Sequence, residues 1–136
     1  MITANIDGLA EPRNPGTGTY GYVIYENERK LAEGEGLAGY EVTNNYAEYT
    51  ALVEVLRKLI ELKKRGDVVI RSDSQLLVAQ MSKKWEAKRG GYLRKFKEAR
   101  DLLGEFGSVR FEWIPREQNQ EADLLSRIAY ERHKKQ

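Results

Sequence analysis

A chain of 136 residues has room for one hydrophobic core but not for two of ordinary size, so one domain spanning residues 1–136 is expected. With no Cys there is no disulfide, no thiolate metal site and no cysteine nucleophile, which leaves oxygen and nitrogen groups for any chemistry. The 23 Lys and Arg nearly balance the 21 Asp and Glu, and a net charge of +2 is too weak to argue for a polyanionic partner by itself. Neither a signal-like start nor a run long enough to span a bilayer is visible, so a cytoplasmic protein that works without a membrane is expected.

Alternation of apolar and polar residues from Ile2 to Asp7, a Tyr- and Val-rich run from Thr19 to Tyr25, and a third run from Lys30 to Leu37 predict three strands joined by hairpins, the second turn at Glu26-Asn27-Glu28. Asn44 or Asn45 can cap a helix whose apolar stripe is Ala47, Ala51, Leu52, Val55, Leu56, Leu59 and Ile60, with Gly66 to stop it. Val68 to Ser72 reads as a buried strand ending at Asp73, and Ser74 to Met81 as a helix. A basic loop from Lys83 to Gly91 precedes a helical pattern from Tyr92 to Phe106. Val109, Phe111 and Trp113 alternate with Arg110 and Glu112 as a last strand, Pro115 breaks it, and Ala122, Leu125 and Ala129 mark a closing helix. The expected fold class is α/β: a mixed five-stranded sheet, three antiparallel strands followed by two reached through helices, flanked by helices.

Four acids stand where this order would bring them to one rim of the sheet: Asp7 beyond the apolar residues of the first strand, Asp73 at the end of the fourth, Glu48 on the apolar line of Leu52, Leu56 and Leu59, and Asp123 near the start of the last helix. A carboxylate on a buried stripe needs a partner, and no Lys or Arg shares that stripe. Gathered acids repel unless divalent cations bind them or some keep protons. Oxygen ligands without Cys or clustered His favour Mg²⁺ or Mn²⁺ over zinc, and two such ions about 4 Å apart serve in-line displacement at phosphorus. Gly16, Gly18 and Gly21 spell a dinucleotide-type G-x-G-x-x-G, but the run that follows is strand-forming, so close strand packing is the expected use.

Taken in order, Ile6-Asp7-Gly8, Asn14-Pro15-Gly16, Thr43-Asn44-Asn45-Tyr46-Ala47-Glu48, Ser72-Asp73-Ser74-Gln75 and Pro115-Arg116-Glu117 with Asn119 and Ala122-Asp123 resemble the blocks of the ribonuclease H type 1 family, over residues 2 to about 130. The tight Pro-Arg-Glu form is similar to its archaeal and plant-like branch, which lacks the basic protrusion. The resemblance implies a ribonuclease H-like fold and endonucleolytic cleavage of the RNA strand of an RNA–DNA hybrid, leaving a 5′-phosphate and a 3′-hydroxyl. It assigns two Mg²⁺, with Mn²⁺ as a substitute, to Asp7, Glu48, Asp73 and Asp123. It also gives hybrid contacts to Gly8, Thr43, Asn44 and Ser74, and implies a monomer.

Three departures from the family are visible. The loop His of bacterial members is missing, Trp113 standing ten residues before Asp123, and the only His, His133, lies near the tail; Arg116 is the candidate for phosphate handling in its place. The basic handle helix shrinks to residues 83–89, where Trp85 is a candidate to stack on a sugar. Glu41 replaces an Arg that lines a DNA-phosphate pocket in some relatives, which opens the way to cleavage of double-stranded RNA. The competing expectations are a non-catalytic nucleic-acid-binding module of the same fold and a superfamily nuclease acting on another polynucleotide.

Overall fold

The structure, a computed structural model, describes residues 1–82 and 90–135. Its elements in chain order are β1 (Ile2–Glu11), β2 (Gly16–Glu26), β3 (Arg29–Val42), α1 (Asn44–Glu61), β4 (Asp67–Ser72), α2 (Gln75–Ser82), α3 (Leu93–Leu103), β5 (Ser108–Trp113), a 3-10 turn (Arg116–Gln118) and α4 (Gln120–His133). The five strands form one sheet in the order β3-β2-β1-β4-β5. The first three strands are antiparallel neighbours, while β4 pairs in parallel with β1 and β5 in parallel with β4. The expected element order and sheet class both hold.

The β2–β3 hairpin turns through Asn27 and Glu28, both with positive φ (51° and 72°), the pair of left-handed residues that matches a two-residue turn to strand twist. Three boundaries differ from the sequence reading. Strand β1 continues past Asp7 to Glu11, because Gly8, Leu9 and Ala10 keep pairing with Tyr20, Thr19 and Gly18; Asp7 is therefore inside a strand and not at its end. Thr43, rather than Asn44 or Asn45, caps α1, its hydroxyl accepting from the Tyr46 N–H at 3.1 Å. Helix α1 stops at Glu61, ahead of Gly66: Lys63 takes the left-handed conformation (φ 62°), and the N–H groups of Lys63 and Lys64 close back on the Ile60 and Leu59 carbonyls at 3.0 and 2.8 Å.

Side chains alternate across β1, and the two helices that matter for the site sit on opposite faces. A Cβ added at Gly8 would lie 2.4 Å from the Glu48 backbone N, which puts α1 against the face carrying Ala4 and Ile6. A Cβ at Gly21, the partner of Asp7 in the β1–β2 register, would lie 2.5 Å from the Ala122 carbonyl O, which puts α4 on the other face. The glycines of the G-x-G-x-x-G run all lie in β2: Gly18 packs against β3, where a Cβ would lie 2.3 Å from Val42 Cγ2, the close strand packing expected, whereas Gly21 instead admits the helix α4.

Leu52, Leu56 and Leu59 on α1 are fully buried against Ile6, Ile24, Val68 and Ile70, each such side chain contributing roughly 1.5–3 kcal/mol by its removal from water. Tyr49 stacks on Tyr92 with ring centroids 5.5 Å apart and meets Phe96 edge-on, so α1 is covered by α3 on its far side and buries more than the single stripe its sequence announces. Among the described residues no helix is long and apolar enough to cross a membrane.

Candidate active site

Parallel pairing of β1 with β4 sets Ile6 beside Ser72, so that Asp7 and Asp73 leave the two central strands at neighbouring points. Glu48 arrives just after the first turn of α1 and Asp123 in the first turn of α4. The four acids come from four elements, two of them on opposite faces of the sheet, and interact electrostatically with one another. A cleft of about 490 Å³ is lined by Asp7, Asp73 and Asp123 together with Gly8, Asn14, Asn44, Trp113, Arg116 and Arg127.

Asp7 and Glu48 are only 8% and 9% exposed. Burial, reinforced by the charge of Asp73 and then by Asp123 and Glu48, pushes the Asp7 carboxyl up to about 8. Burial and then Asp73 push Glu48 up to about 8 as well, against a hydrogen bond from Ser74. Asp73, half-buried, is raised by burial and by Asp123, with the Asn119 amide and the Arg116 guanidinium drawing it the other way. Asp123 is half-buried and pairs with Arg127, Nε to Oδ1 3.4 Å; Arg127 also reaches Glu11 Oε2 at 3.2 Å.

Ser126, fully buried, ties two of the acids together. Its hydroxyl lies 2.8 Å from the Asp123 carbonyl O and 3.1 Å from Asp7 Oδ2. A hydroxyl has one proton to give, so when Asp7 is protonated it can donate to Ser126 while Ser126 donates to the Asp123 carbonyl. Asn119, also fully buried, donates from Nδ2 to the Ile6 carbonyl at 2.8 Å, fixing the loop before α4 to the strand next to Asp7. Its Oδ1 is buried without a hydrogen-bond partner among the described residues.

Among the described residues neither Asp7 nor Glu48 has an ion-pair partner, and no three acids or histidines there stand together as a ready-made cation cage. The donor chemistry nonetheless fits a hard divalent cation: carboxylate oxygens alone, with Asp7 and Glu48 buried and kept from ionising first by that burial and then by Asp73. A bound cation would supply the positive charge that these groups lack and would draw their oxygens together.

The remaining candidates divide. Gly8 lies in the cleft wall, and its missing Cβ is what lets α1 approach β1. Thr43 uses its hydroxyl to cap α1. Asn44 forms a reciprocal pair with Asn14, Nδ2 of Asn14 donating to Asn44 Oδ1 at 2.6 Å and the Asn44 N–H donating to Asn14 Oδ1 at 3.1 Å, which joins the β1–β2 loop to the start of α1. Ser74 accepts from the Leu77 N–H at 3.2 Å at the start of α2. Arg116 is exposed at the cleft rim near Asp73. Trp85 lies outside the described residues. His133 ends α4, on the order of 15 Å from Asp123 along the helix axis, too far to serve the cleft. Glu41 is exposed, with positive φ (54°) and Arg13 4.0 Å away.

Ser126 and Arg127 are not singled out by the sequence, and Asn14 enters there only within the Asn14-Pro15-Gly16 block, without a site role. Ser126 does carry a signal: it falls on the buried line of Ala122 and Ala129, a polar interruption of an apolar stripe of the same kind that marks Glu48. Because Gly8 faces the backbone of Ala47 and Glu48, Gly8→Ala is expected to lose about 1–3 kcal/mol of stability through overpacking, read as a fall in the thermal midpoint.

The strand order, the helices on both faces and the acidic cleft at the ends of β1 and β4 define a ribonuclease H-like fold. A family model described as reverse transcriptase-like matches residues 5–129. Ribonuclease H of Desulforamulus reducens is 36% identical over 126 residues, 83% of this chain and 74% of that protein. Bifunctional protein Rv2228c of Mycobacterium tuberculosis is 35% identical over 118 residues, 85% of this chain and 32% of that protein, so the chain spans about a third of this relative's length. LC11-RNase H1, isolated from compost and solved in complex with an RNA/DNA hybrid, superposes with a TM-score of 0.88 and 32% identity, covering 97% of this chain and 98% of that one. The chain belongs to the type 1 ribonuclease H family.

Proposed function

We propose that residues 1–136 act as one monomeric catalytic domain in the cytoplasm, hydrolysing the RNA strand of RNA–DNA hybrids endonucleolytically and leaving a 5′-phosphate and a 3′-hydroxyl. The observation that carries the reading is that Asp7, Asp73 and Asp123 line one cleft while Glu48, buried on α1, lies within the electrostatic reach of Asp7 and Asp73, in a chain of this family. The hybrid bound to LC11-RNase H1 supports the substrate class.

In this reading the four carboxylates hold two Mg²⁺, or Mn²⁺ in their place. When bound, such ions polarise the phosphate, lower the pKa of water and stabilise the leaving oxygen. The chain's own residues set the geometry: Ser126 and Asn119 fix Asp7 and its strand against α4, and Arg127 holds Asp123. Glu48, which Asp73 influences electrostatically, would meet the RNA 2′-hydroxyl, the group that tells the cut strand from DNA. Gly8, Thr43, Asn44 and Ser74 border the path of the hybrid backbone.

Arg116 supplies an exposed positive charge to the departing phosphate at the rim, since a guanidinium matches phosphate oxygens in bidentate fashion. Arg116→Ala is expected to lower the turnover number by about tenfold with an unchanged fold, measured with saturating hybrid in Mg²⁺; an unchanged turnover removes the assignment.

The deciding experiment incubates the protein with end-labelled RNA–DNA hybrid, double-stranded RNA and double-stranded DNA, each with Mg²⁺ or Mn²⁺. Internal cleavage of the RNA strand with 5′-phosphate ends is the expected result. Binding of the hybrid without cleavage would leave a non-catalytic module instead, and preferential cutting of double-stranded RNA would correct the substrate.

A further inference from the structure

Trp113 ends β5 on the same side of the strand as Val109 and Phe111, both of which pack against the core. The indole does not join them. It is 45% exposed and borders the cleft beside Asp7, Asp73 and Asp123.

An exposed aromatic is ordinary on a protein surface, so exposure alone assigns nothing. Trp113 is set apart by being held. Its ring nitrogen, the one polar atom an indole has, donates to the Asp73 carbonyl O at 3.2 Å. The next residue, Ile114, is 2% exposed and donates its N–H to the Ser72 carbonyl O at 2.9 Å, which fastens the backbone as well. The ring is thus held at Asp73 and its backbone at Ser72, while a large part of its carbon surface stays open to the cleft. An anchored apolar plate loses little conformational freedom when something packs on it.

We propose that Trp113 is a substrate-binding residue, an apolar platform for the sugar of the nucleotide that flanks the phosphate received by the acidic cleft; this rests on the polynucleotide hydrolysis proposed above. Bases inside a duplex are already stacked on one another, so a rim side chain meets the sugar–phosphate edge. The neighbouring charge suits that edge, because Arg116 stands three residues on at the same cleft and faces phosphate while the indole faces carbon.

The chain has two Trp, so Trp85→Phe leaves Trp113 as the sole indole emitter. That variant is titrated with a short RNA–DNA hybrid in chelator, while the anisotropy of a fluorescein-labelled copy of the hybrid reports binding in parallel. Indole emission is expected to change and to saturate together with anisotropy. In Mg²⁺, with Trp85 intact, Trp113→Ala is expected to raise KM roughly tenfold with kcat within about twofold of the original, whereas Trp113→Phe keeps most of the affinity because it retains an aromatic face. Saturating anisotropy with unchanged emission overturns the proposal. So does a fall in kcat at constant KM that is equally large in Trp113→Phe and Trp113→Ala, since the ring nitrogen would then serve only to position Asp73. No anisotropy change together with no cleavage in Mg²⁺ removes the hydrolase reading and the platform with it.

Discussion

Asp7→Asn is expected to reduce hybrid cleavage by about a thousandfold or more and, in the absence of metal at pH 8, to raise the thermal midpoint. The two effects share one cause. Asp7 sits within the field of three other carboxyls, where ionisation is opposed first by burial and then by Asp73. An amide of the same shape keeps a hydrogen-bonding group 3.1 Å from the Ser126 hydroxyl and removes the charge that the folded state tolerates poorly. The same change deletes one of the two most enclosed donors available to a divalent cation, and removing a group that stabilises developing charge at a reacting centre commonly costs two to three orders of magnitude in rate, about 3–4 kcal/mol. A gain of metal-free stability with a loss of activity is the trade-off expected where function requires like charges to be held together. At pH 5.5 folded wild-type Asp7 keeps its proton while the unfolded chain has already released it, so the stabilising effect of the amide is expected to be smaller there than at pH 8 and to vanish only below the ordinary value of 3.8. Thermal denaturation of both proteins in chelator at the two pH values, beside a cleavage assay, checks each part. Activity within tenfold of wild type would remove Asp7 from the site.

The metal-free protein is expected to lose stability as pH rises from 5.5 to 8, a direction opposite to that of a protein held together by ionised, salt-bridged carboxylates. Asp7 and Glu48 are raised from their ordinary values of 3.8 and 4.5 to about 8. Below the ordinary values both groups are protonated whether the chain is folded or not, and their preference for the folded state is fully present. Between the ordinary and raised values the unfolded chain releases these protons and the folded chain retains them, so each pH unit removes up to about 1.4 kcal/mol per group. Above about 8 the loss is complete. Ion-paired acids such as Glu26 and Glu121 are shifted downward instead, so their contribution changes only in more acidic solution and leaves this window clear. Added Mg²⁺ is expected to flatten the decline, because a cation bound to the folded state favours the ionised carboxylates. Midpoints measured across this range in chelator and in Mg²⁺ give the answer: stability that rises with pH in chelator would contradict the burial of an uncompensated acidic pair.

Glu48 is legible in the sequence, because an acid in line with Leu52, Leu56 and Leu59 is an anomaly that helical periodicity alone exposes. The strand-ending position of Asp73 is equally plain from the apolar run that precedes it. Asp7 is singled out for a partly mistaken reason: the strand continues through Leu9 to Glu11, and this continuation is decided by pairing with β2 and not by any feature of the residues themselves. Thr43 takes the capping role from its Asn neighbours, a choice among three adjacent candidates that local preference does not separate. Trp113 completes an alternating pattern that predicts burial, yet it lies beyond the ground that the helices cover and remains open.

Sequence alone determined which stretches are strands and helices, which carboxyls interrupt or end them, and that oxygen donors without Cys must carry any metal chemistry. These properties repeat over two to four residues and need no knowledge of distant chain. Tertiary structure decided that β1 lies beside β4, that α1 and α4 approach Asp7 from opposite faces, that Ser126 and Asn119 lock the acids in place, and that two carboxyls are buried deeply enough to titrate near 8. The physical reason is range: periodicity is a local geometric property, whereas strand register, desolvation and the mutual repulsion of charges far apart in the sequence exist only once the chain has closed on itself.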